Sequence, residues 1–347
     1  MFNFSEIKNY GKPYVIAEIG ANHNGDIELA KKMIDVAKEC GADCVKFQSW
    51  SKDTIFSRKV YEDNYFLSDD YRNRNDYTLE EIVDKYSVGK KEHIELKKYC
   101  DSIGIDFTST PFSKDEVDML SDILDVLFLK VASMDLNNIP FLEYIAKKQK
   151  PIVISTGLSD LTDINEAVKC IQNAGNSQII LLHCVSIYPP KDEEVNLNNM
   201  DMLRDNFPYP VGYSDHTIGT VAPILSIAKG ACIIEKHFTL DKDMVGWDHK
   251  VSADPTELKA IVDACDSAYK MLGSYMRVVN ESEERRNAFR RSIVAANDIK
   301  KGTIITENDL DYKRPGTGIE PKYYKFLIGK EAKNDIKKDD LIKLEDF

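Results

Sequence analysis

Apolar runs along this chain end repeatedly on polar residues. The clearest are Tyr14-Val15-Ile16-Ala17-Glu18-Ile19-Gly20-Ala21-Asn22-His23, Cys44-Val45-Lys46-Phe47-Gln48 and Ile233-Ile234-Glu235-Lys236-His237. Near-continuous apolar runs of this length read as strands buried on both faces. Eight such segments, near 14–19, 44–48, 105–109, 127–131, 151–155, 178–183, 209–213 and 232–236, alternate with amphipathic stretches. Ile27 to Cys40 carries Leu29, Met33, Ile34, Val36 and Ala37 on one helical face. Lys90 to Ile103 and Pro255 to Leu272 read the same way. Strand alternating with helix implies a parallel sheet, and eight repeats imply closure. The expectation is an α/β protein, a (β/α)8 barrel of TIM type over residues 1–275. An open doubly wound sheet is the alternative, but no glycine-rich phosphate fingerprint follows the first strand.

Two segments interrupt or end this rhythm. Ser51 to Tyr77 is long for a connection and holds Phe56, Tyr61, Tyr65, Phe66, Tyr71 and Tyr77. Long loops at the catalytic end of a barrel often serve as lids, and a packed surface excursion is the other reading. Past Gly273 the pattern changes. A charged, helical connector is expected over 276–291. Short β-like pieces follow at Ser292-Ile293-Val294-Ala295, Thr303-Ile304-Ile305 and Leu341-Ile342-Lys343-Leu344, so 292–347 reads as a small β-rich module.

Composition narrows the partners. Hydrophobic content of 43% and charged content of 30% are ordinary for a globular protein. The net charge of −12 argues against nucleic acid or an anionic membrane as the main partner. No apolar stretch reaches the roughly 20 residues of a membrane helix. The segment Met1-Phe2-Asn3-Phe4-Ser5-Glu6 does not read as a signal peptide. Seven scattered cysteines without CxxC spacing read as reduced core thiols, which places the protein in the cytoplasm and makes a cysteine nucleophile unexpected.

Charge at successive strand ends is how a barrel builds an active site. The ends here carry Glu18, Lys46, Gln48, Ser109, Lys130, Ser133, Ser155, Tyr188, Ser214, His216 and His237. Two lysines and several serines around one mouth suit a phosphate or carboxylate, lysine supplying charge and serine neutral donors. His216 and His237 end consecutive strands and can converge on one divalent ion, with Glu18 opposite.

These segments resemble the sialic acid synthase family, the bacterial nonulosonate synthases. The matching pieces are Ile16 to Gly25, Lys46-Phe47-Gln48, Ser109-Thr110-Pro111-Phe112-Ser113, Lys130-Val131-Ala132-Ser133 and Ile154-Ser155-Thr156-Gly157. They continue with Gly212-Tyr213-Ser214-Asp215-His216-Thr217, Glu235-Lys236-His237-Phe238-Thr239 and, in the tail, Lys313-Arg314-Pro315-Gly316. The resemblance implies a barrel followed by an antifreeze-like (SAF) domain. It implies condensation of phosphoenolpyruvate with the open-chain aldehyde of an N-acylated hexosamine. The products are a nine-carbon 2-keto-3-deoxy sugar acid and phosphate, and a divalent cation, Mn2+ or Mg2+, is required. By resemblance Lys46, Lys130, Ser133, Ser155 and Ser214 hold phosphoenolpyruvate. His216 and His237 bind the metal. Gln48, Tyr188 and Asp248 hold the sugar, and Glu18 positions the aldehyde or activates water. Arg314 matches an arginine that, in the family, reaches the active site of the other subunit of a swapped homodimer.

The chain departs from the common pattern in places. Ser133-Met134-Asp135 stands where many members have Ser-Gly-Glu, so Asp135 keeps the acid with one methylene fewer. Gly246-Trp247-Asp248 stands where many have Gly-Pro-Asp, and Ser186 where some have asparagine. These changes fall near the expected sugar. N-acetylmannosamine, giving N-acetylneuraminate, is the first expectation. A 2,4-diacetamido-6-deoxyhexose giving legionaminate follows, then pseudaminate. Outside this family the alternatives are a Kdo8P-type synthase and a carbohydrate- or ice-binding protein on an inert barrel.

Overall fold

In the computed structural model, residues 1–63, 78–274 and 276–347 are described. The chain divides into two compact units, Met1–Gly273 and Ser274–Phe347.

The first unit holds eight parallel strands: β1 Tyr14–Gly20, β2 Cys44–Gln48, β3 Asp106–Thr110, β4 Leu129–Val131, β5 Ile152–Ser155, β6 Ile179–Cys184, β7 Val211–Asp215 and β8 Ile233–His237. Their order is β3-β2-β1-β8-β7-β6-β5-β4. The Thr108 hydroxyl donates to Phe128 O at 3.0 Å, just before β4, and brings the two end strands together in a nearly closed barrel. The strands begin and end up to two residues later than expected. At β7 the cause is Pro210, which has no N–H to give a ladder.

Helices follow the strands where the apolar spacing puts them. Asp26 caps Ile27–Glu39 by accepting from Glu28 N and Leu29 N, a contact worth about 1 kcal/mol. Helix Lys90–Ile103 ends on Gly104 at φ 73°, which an L side chain adopts only with strain. Pro255 opens helix Pro255–Leu272 behind an Asp254–Glu257 capping box. The faces of these helices bury Ala30, Met33, Ile34, Leu96, Leu258 and Ile261 against the outer strand faces.

The barrel interior is layered by strand alternation. Phe2, Tyr14, Ile16, Cys44, Phe128, Val153, Ile180, Leu182 and Ile233 pack its lower part. One or two inward positions further along each strand the side chains turn polar, and these surround the mouth. All seven cysteines are free thiols. Among the described residues no helix is long and apolar enough to cross a membrane.

Of the long segment after β2, residues 52–63 form two short helices, Lys52–Ile55 and Arg58–Asp63. Tyr65, Phe66, Tyr71 and Tyr77 lie outside the described residues.

The second unit starts with a charged helix, Glu283–Phe289. Strands β9 Ser292–Ala295 and β10 Leu310–Lys313 pair antiparallel. The other two β-like pieces are reduced to isolated bridges, Ile304 to Glu331 and Leu341 to Val294. Ile293, Ala295, Ile299, Ile305, Leu327 and Ile342 form its own core.

Candidate active site

A cavity of about 740 Å³ opens at the C-terminal ends of the barrel strands. Glu18, Lys46, Gln48, Lys130, Ser133, Ser155, Tyr188, Ser214, His216 and His237 all line it. The strand-borne members occupy the inward register of their strands, and Glu18, Lys46, Lys130 and Ser155 each follow an inward apolar residue, Ile16, Cys44, Phe128 and Val153, by two positions.

The floor is a buried charge network. Lys46 Nζ lies 2.6 Å from Glu18 Oε2 and 3.8 Å from Glu235 Oε2, and donates to Thr110 Oγ1 at 2.9 Å. Lys130 Nζ donates to Ser155 Oγ at 2.7 Å and lies 3.8 Å from Glu235 Oε1. Ser214 Oγ donates to Glu235 Oε1 at 3.1 Å. Burial raises the Glu18 carboxyl to about 7, against the pull of Lys46. Burial also opposes charge on Glu235, but Lys130 and Lys46 outweigh it and hold that carboxyl below the usual range. Burial lowers the Lys130 ammonium. Two lysines thus sit poised between two carboxylates, with serine and threonine hydroxyls between them. Gln48 links this floor upward, donating to Glu18 Oε1 at 3.1 Å and accepting from Trp50 Nε1 at 2.7 Å.

Backbone approach matters at Gly157. Gly157 N donates to Ser133 Oγ at 3.1 Å. A Cβ there would lie 2.4 Å from Ser186 Oγ and 2.8 Å from Ser133 Oγ, so only glycine leaves both hydroxyls in place.

The two imidazoles lie side by side, their centroids 5.5 Å apart. His216 Nδ1 faces Val185 O at 2.7 Å. A carbonyl only accepts, so Nδ1 carries the proton and Nε2 keeps a lone pair. His237 Nδ1 is buried without a hydrogen-bond partner and lies 3.9 Å from Asp248 Oδ2. Burial first, then the neighbouring His216 ring and the Lys46, Lys236 and Lys130 ammoniums, hold His237 well below the usual imidazole range, hence neutral. Two adjacent lone-pair nitrogens, one oriented by a backbone carbonyl, are the donor set a divalent cation takes. Among the described residues no group of three or more His, Cys, Asp or Glu side chains is arranged to hold a metal ion.

Other expected residues lie elsewhere. Ser109 faces away from the cavity, in a buried cluster with Ser49 (2.6 Å) and His93 (3.5 Å). Its neighbour Thr110 takes the inward register instead. Asp135 sits past β4, half-buried, accepting from Asn138 at 3.2 Å, outside the cavity lining. Asp248 also lies outside the lining but beside His237. Arg314 belongs to the second unit, where its guanidinium lies 4.9 Å over the Phe289 ring.

Two cavity residues, and most of the cavity's upper wall, escaped the sequence reading. Glu235 shares the inward register of His237, and that alternation was the signal for it. Cys184 lines the cavity 3.9 Å from His216 Nδ1, unlike a core thiol. Burial pushes its thiol up, but His216 and Ser133 outweigh this and bring it to about 7. The upper wall is largely apolar: Trp50, Ile55, Phe56, Val60, Val83, Phe112 and Trp247, with Ser57 among them. Trp247 packs against Trp50 at 5.7 Å and edge-on to Tyr86 at 5.8 Å.

A barrel mouth with paired lysines and carboxylates, hydroxyl donors and two imidazoles defines an enzyme acting on a small anionic substrate. Residues 33–277 match the NeuB family and residues 290–347 the SAF domain. The chain is 42% identical over 335 residues to the N,N'-diacetyllegionaminic acid synthase of Campylobacter jejuni, covering 96% of this chain and 99% of that protein. It is 36% identical over 332 residues to the human N-acetylneuraminate-9-phosphate synthase, covering 95% and 91%. The crystal structure of a sialic acid synthetase from Leptospira borgpetersenii serovar Hardjo-bovis superposes with a TM-score of 0.69 at 33% identity, over 79% of this chain and 90% of that one. The chain belongs to the NeuB family, the nonulosonate synthases, which are phosphoenolpyruvate-using condensing enzymes of transferase type.

Proposed function

We propose that the cavity condenses phosphoenolpyruvate with the open-chain aldehyde of an N-acylated hexosamine, giving a nine-carbon 2-keto-3-deoxy sugar acid and phosphate. The observation that carries this is the floor: two buried lysines and the Ser155 and Ser214 hydroxyls, directly beside two imidazoles with free lone pairs. Phosphoenolpyruvate is the anion that Lys46, Lys130, Ser133, Ser155 and Ser214 would hold. His216 and His237 would hold Mn2+ or Mg2+, which supplies a Lewis acid for the aldehyde oxygen. Carbon 3 of phosphoenolpyruvate forms the new bond to the aldehyde carbon, and its π electrons leave carbon 2 electron-poor. Water adds at carbon 2 and Glu18 accepts its first proton, which balances the proton taken up by the former aldehyde oxygen as it becomes a hydroxyl; the carbon 2–oxygen bond to phosphate then breaks as the ketone forms, and the phosphate leaves with its bridging oxygen and the second proton. Gln48 keeps the Glu18 carboxylate oriented through its 3.1 Å bond. Tyr188 and Asp248 serve the sugar, and Arg314 reaches the partner's site in a swapped homodimer.

The upper wall supports a choice of sugar. With the aldehyde at the floor, the far carbons of the extended chain meet Trp50, Phe56, Val60, Phe112 and Trp247. Among the described residues of that wall only Ser57 carries a hydroxyl, so a hydroxyl at carbon 6 would exchange water for few partners, costing about 1–3 kcal/mol where it finds none. A methyl group costs nothing and gains contact. This favours a 2,4-diacetamido-6-deoxyhexose over N-acetylmannosamine, and the higher identity to the legionaminic acid synthase agrees. The test is phosphate release from phosphoenolpyruvate with both sugars. The 6-deoxy sugar should be used at least about tenfold more efficiently. Equal use would remove the sugar assignment, and phosphate release with neither sugar, across a wider hexosamine panel, would remove the reaction.

A further inference from the structure

Behind the two histidines lies a buried ion pair that touches neither the cavity nor solvent. Ser214 on β7 and His216 just past its end, and Glu235 and His237 on β8, line the cavity. Strand alternation therefore turns Asp215 and Lys236 to the opposite face. They are register partners across β7 and β8. Their side chains are fully buried, with Nζ 2.6 Å from Asp215 Oδ2.

The Asp215 carboxylate takes three further donors. Tyr213 Oη donates to Oδ1 at 2.8 Å, Thr217 N to Oδ1 at 3.0 Å and Thr217 Oγ1 to Oδ2 at 3.1 Å. Lys236 Nζ also donates to Thr217 O. His216 therefore sits between two residues that are both fastened to Lys236, and His237 directly follows Lys236 in the chain. The backbone pairing of β7 with β8 stops at Asp215 and Lys236. His237 stays in register with Glu18 of β1 on its other side, whereas His216 lies beyond the ladder. The ion pair is what carries the connection past that point.

A buried ion pair is a poor source of stability, because well-packed apolar residues do as well or better. Position is the property an apolar pair would not reproduce. We propose that Asp215 and Lys236 are positioning residues that fix His216 relative to His237 so that both imidazoles meet one divalent cation. The inference rests on the metal role proposed for the two histidines.

The test uses the full chain with Asp215→Asn, Lys236→Met and the double variant, which leaves no buried charge unpaired. Three quantities are read: Mn2+ affinity from the free-ion electron paramagnetic resonance signal, phosphoenolpyruvate affinity without metal, and the melting temperature. Outer-shell partners of metal ligands typically contribute 10- to 100-fold in affinity. The double variant should melt near the wild type, keep its phosphoenolpyruvate affinity within about twofold and bind Mn2+ at least about tenfold more weakly. If Lys236→Met alone fails to fold, Asp215→Asn and the double variant carry the comparison. Mn2+ affinity within twofold of wild type in a folded variant overturns the inference. So does an equal loss of Mn2+ and phosphoenolpyruvate affinity, which marks a merely structural pair. A wild type that binds no Mn2+ overturns instead the metal role on which the inference rests.

Discussion

Lys130→Met removes one charge from the floor of the cavity while keeping the length of the side chain. Lys130 is 3% exposed, and its ammonium reaches Ser155 Oγ at 2.7 Å and Val131 O at 3.0 Å. In the substrate's absence it shares Glu235 with Lys46, each 3.8 Å from that carboxylate. After the substitution Glu235 keeps Lys46 and the 3.1 Å contact from Ser214, so the fold should hold. A hydrogen bond to a charged group contributes about 1.5–3 kcal/mol. At about 1.36 kcal/mol per factor of ten, kcat/KM for phosphoenolpyruvate should fall by about 13- to 160-fold. The assay is continuous phosphate release with hexosamine and Mn2+ saturating and phosphoenolpyruvate varied. The KM for the sugar should stay within about twofold, because Lys130 is assigned to the other substrate. Unchanged phosphoenolpyruvate kinetics in the folded variant, or a loss confined to the sugar, would refute the assignment.

Three other outcomes follow from the same structure. His237→Ala should leave the circular dichroism spectrum intact while abolishing turnover and Mn2+ binding, and EDTA should silence the wild type until Mn2+ is restored; full activity after exhaustive chelation contradicts the metal role. Co-expression of Arg314→Ala with His237→Ala subunits should recover at most about half of wild-type activity per mixed dimer, since one site then carries both lesions and the other neither; no recovery means the arginine serves its own subunit. His23 accepts from Gly25 N at 3.0 Å through Nδ1, and burial, with nearby His93, lowers it to about 4 from 6.5. The unfolded chain therefore binds the proton first as pH falls, so this stability is complete above pH 6.5 and is lost towards pH 4. Between pH 7 and 5 the loss is about 2 kcal/mol, read from urea midpoints; a His23→Gln variant with the wild-type acid slope would count against it.

Helices were legible in detail because their apolar spacing and caps are local. Ile27–Glu39, Lys90–Ile103 and Pro255–Leu272 begin at Asp26, Gly89 and Asp254, where the chain itself marks a start. The strands were legible as apolar runs, but a run does not say which of its residues faces inward. That is why Ser109 was expected in place of Thr110, and why Glu235 went unnoticed two residues before His237. Register settles both, and register is a property of the neighbouring strands. Cys184 could not be told from a core thiol without His216 beside it. The apolar upper wall draws Ile55, Phe56 and Val60 from a segment with no strand or long-helix pattern. The tail read correctly as β-rich, but two of its three β-like pieces form only single bridges, since short segments there satisfy their backbone largely through turns.

The most direct measurement follows carbon 3 of phosphoenolpyruvate. The enzyme is incubated with [3-13C]phosphoenolpyruvate, a 2,4-diacetamido-6-deoxyhexose and Mn2+, and the reaction is followed by 13C nuclear magnetic resonance with phosphate quantified in parallel. The vinyl signal should convert to a methylene bonded to the former aldehyde carbon, one equivalent for each phosphate released. Label appearing only in the methyl group of pyruvate would mean hydrolysis without a carbon–carbon bond, and would contradict the reading of the site.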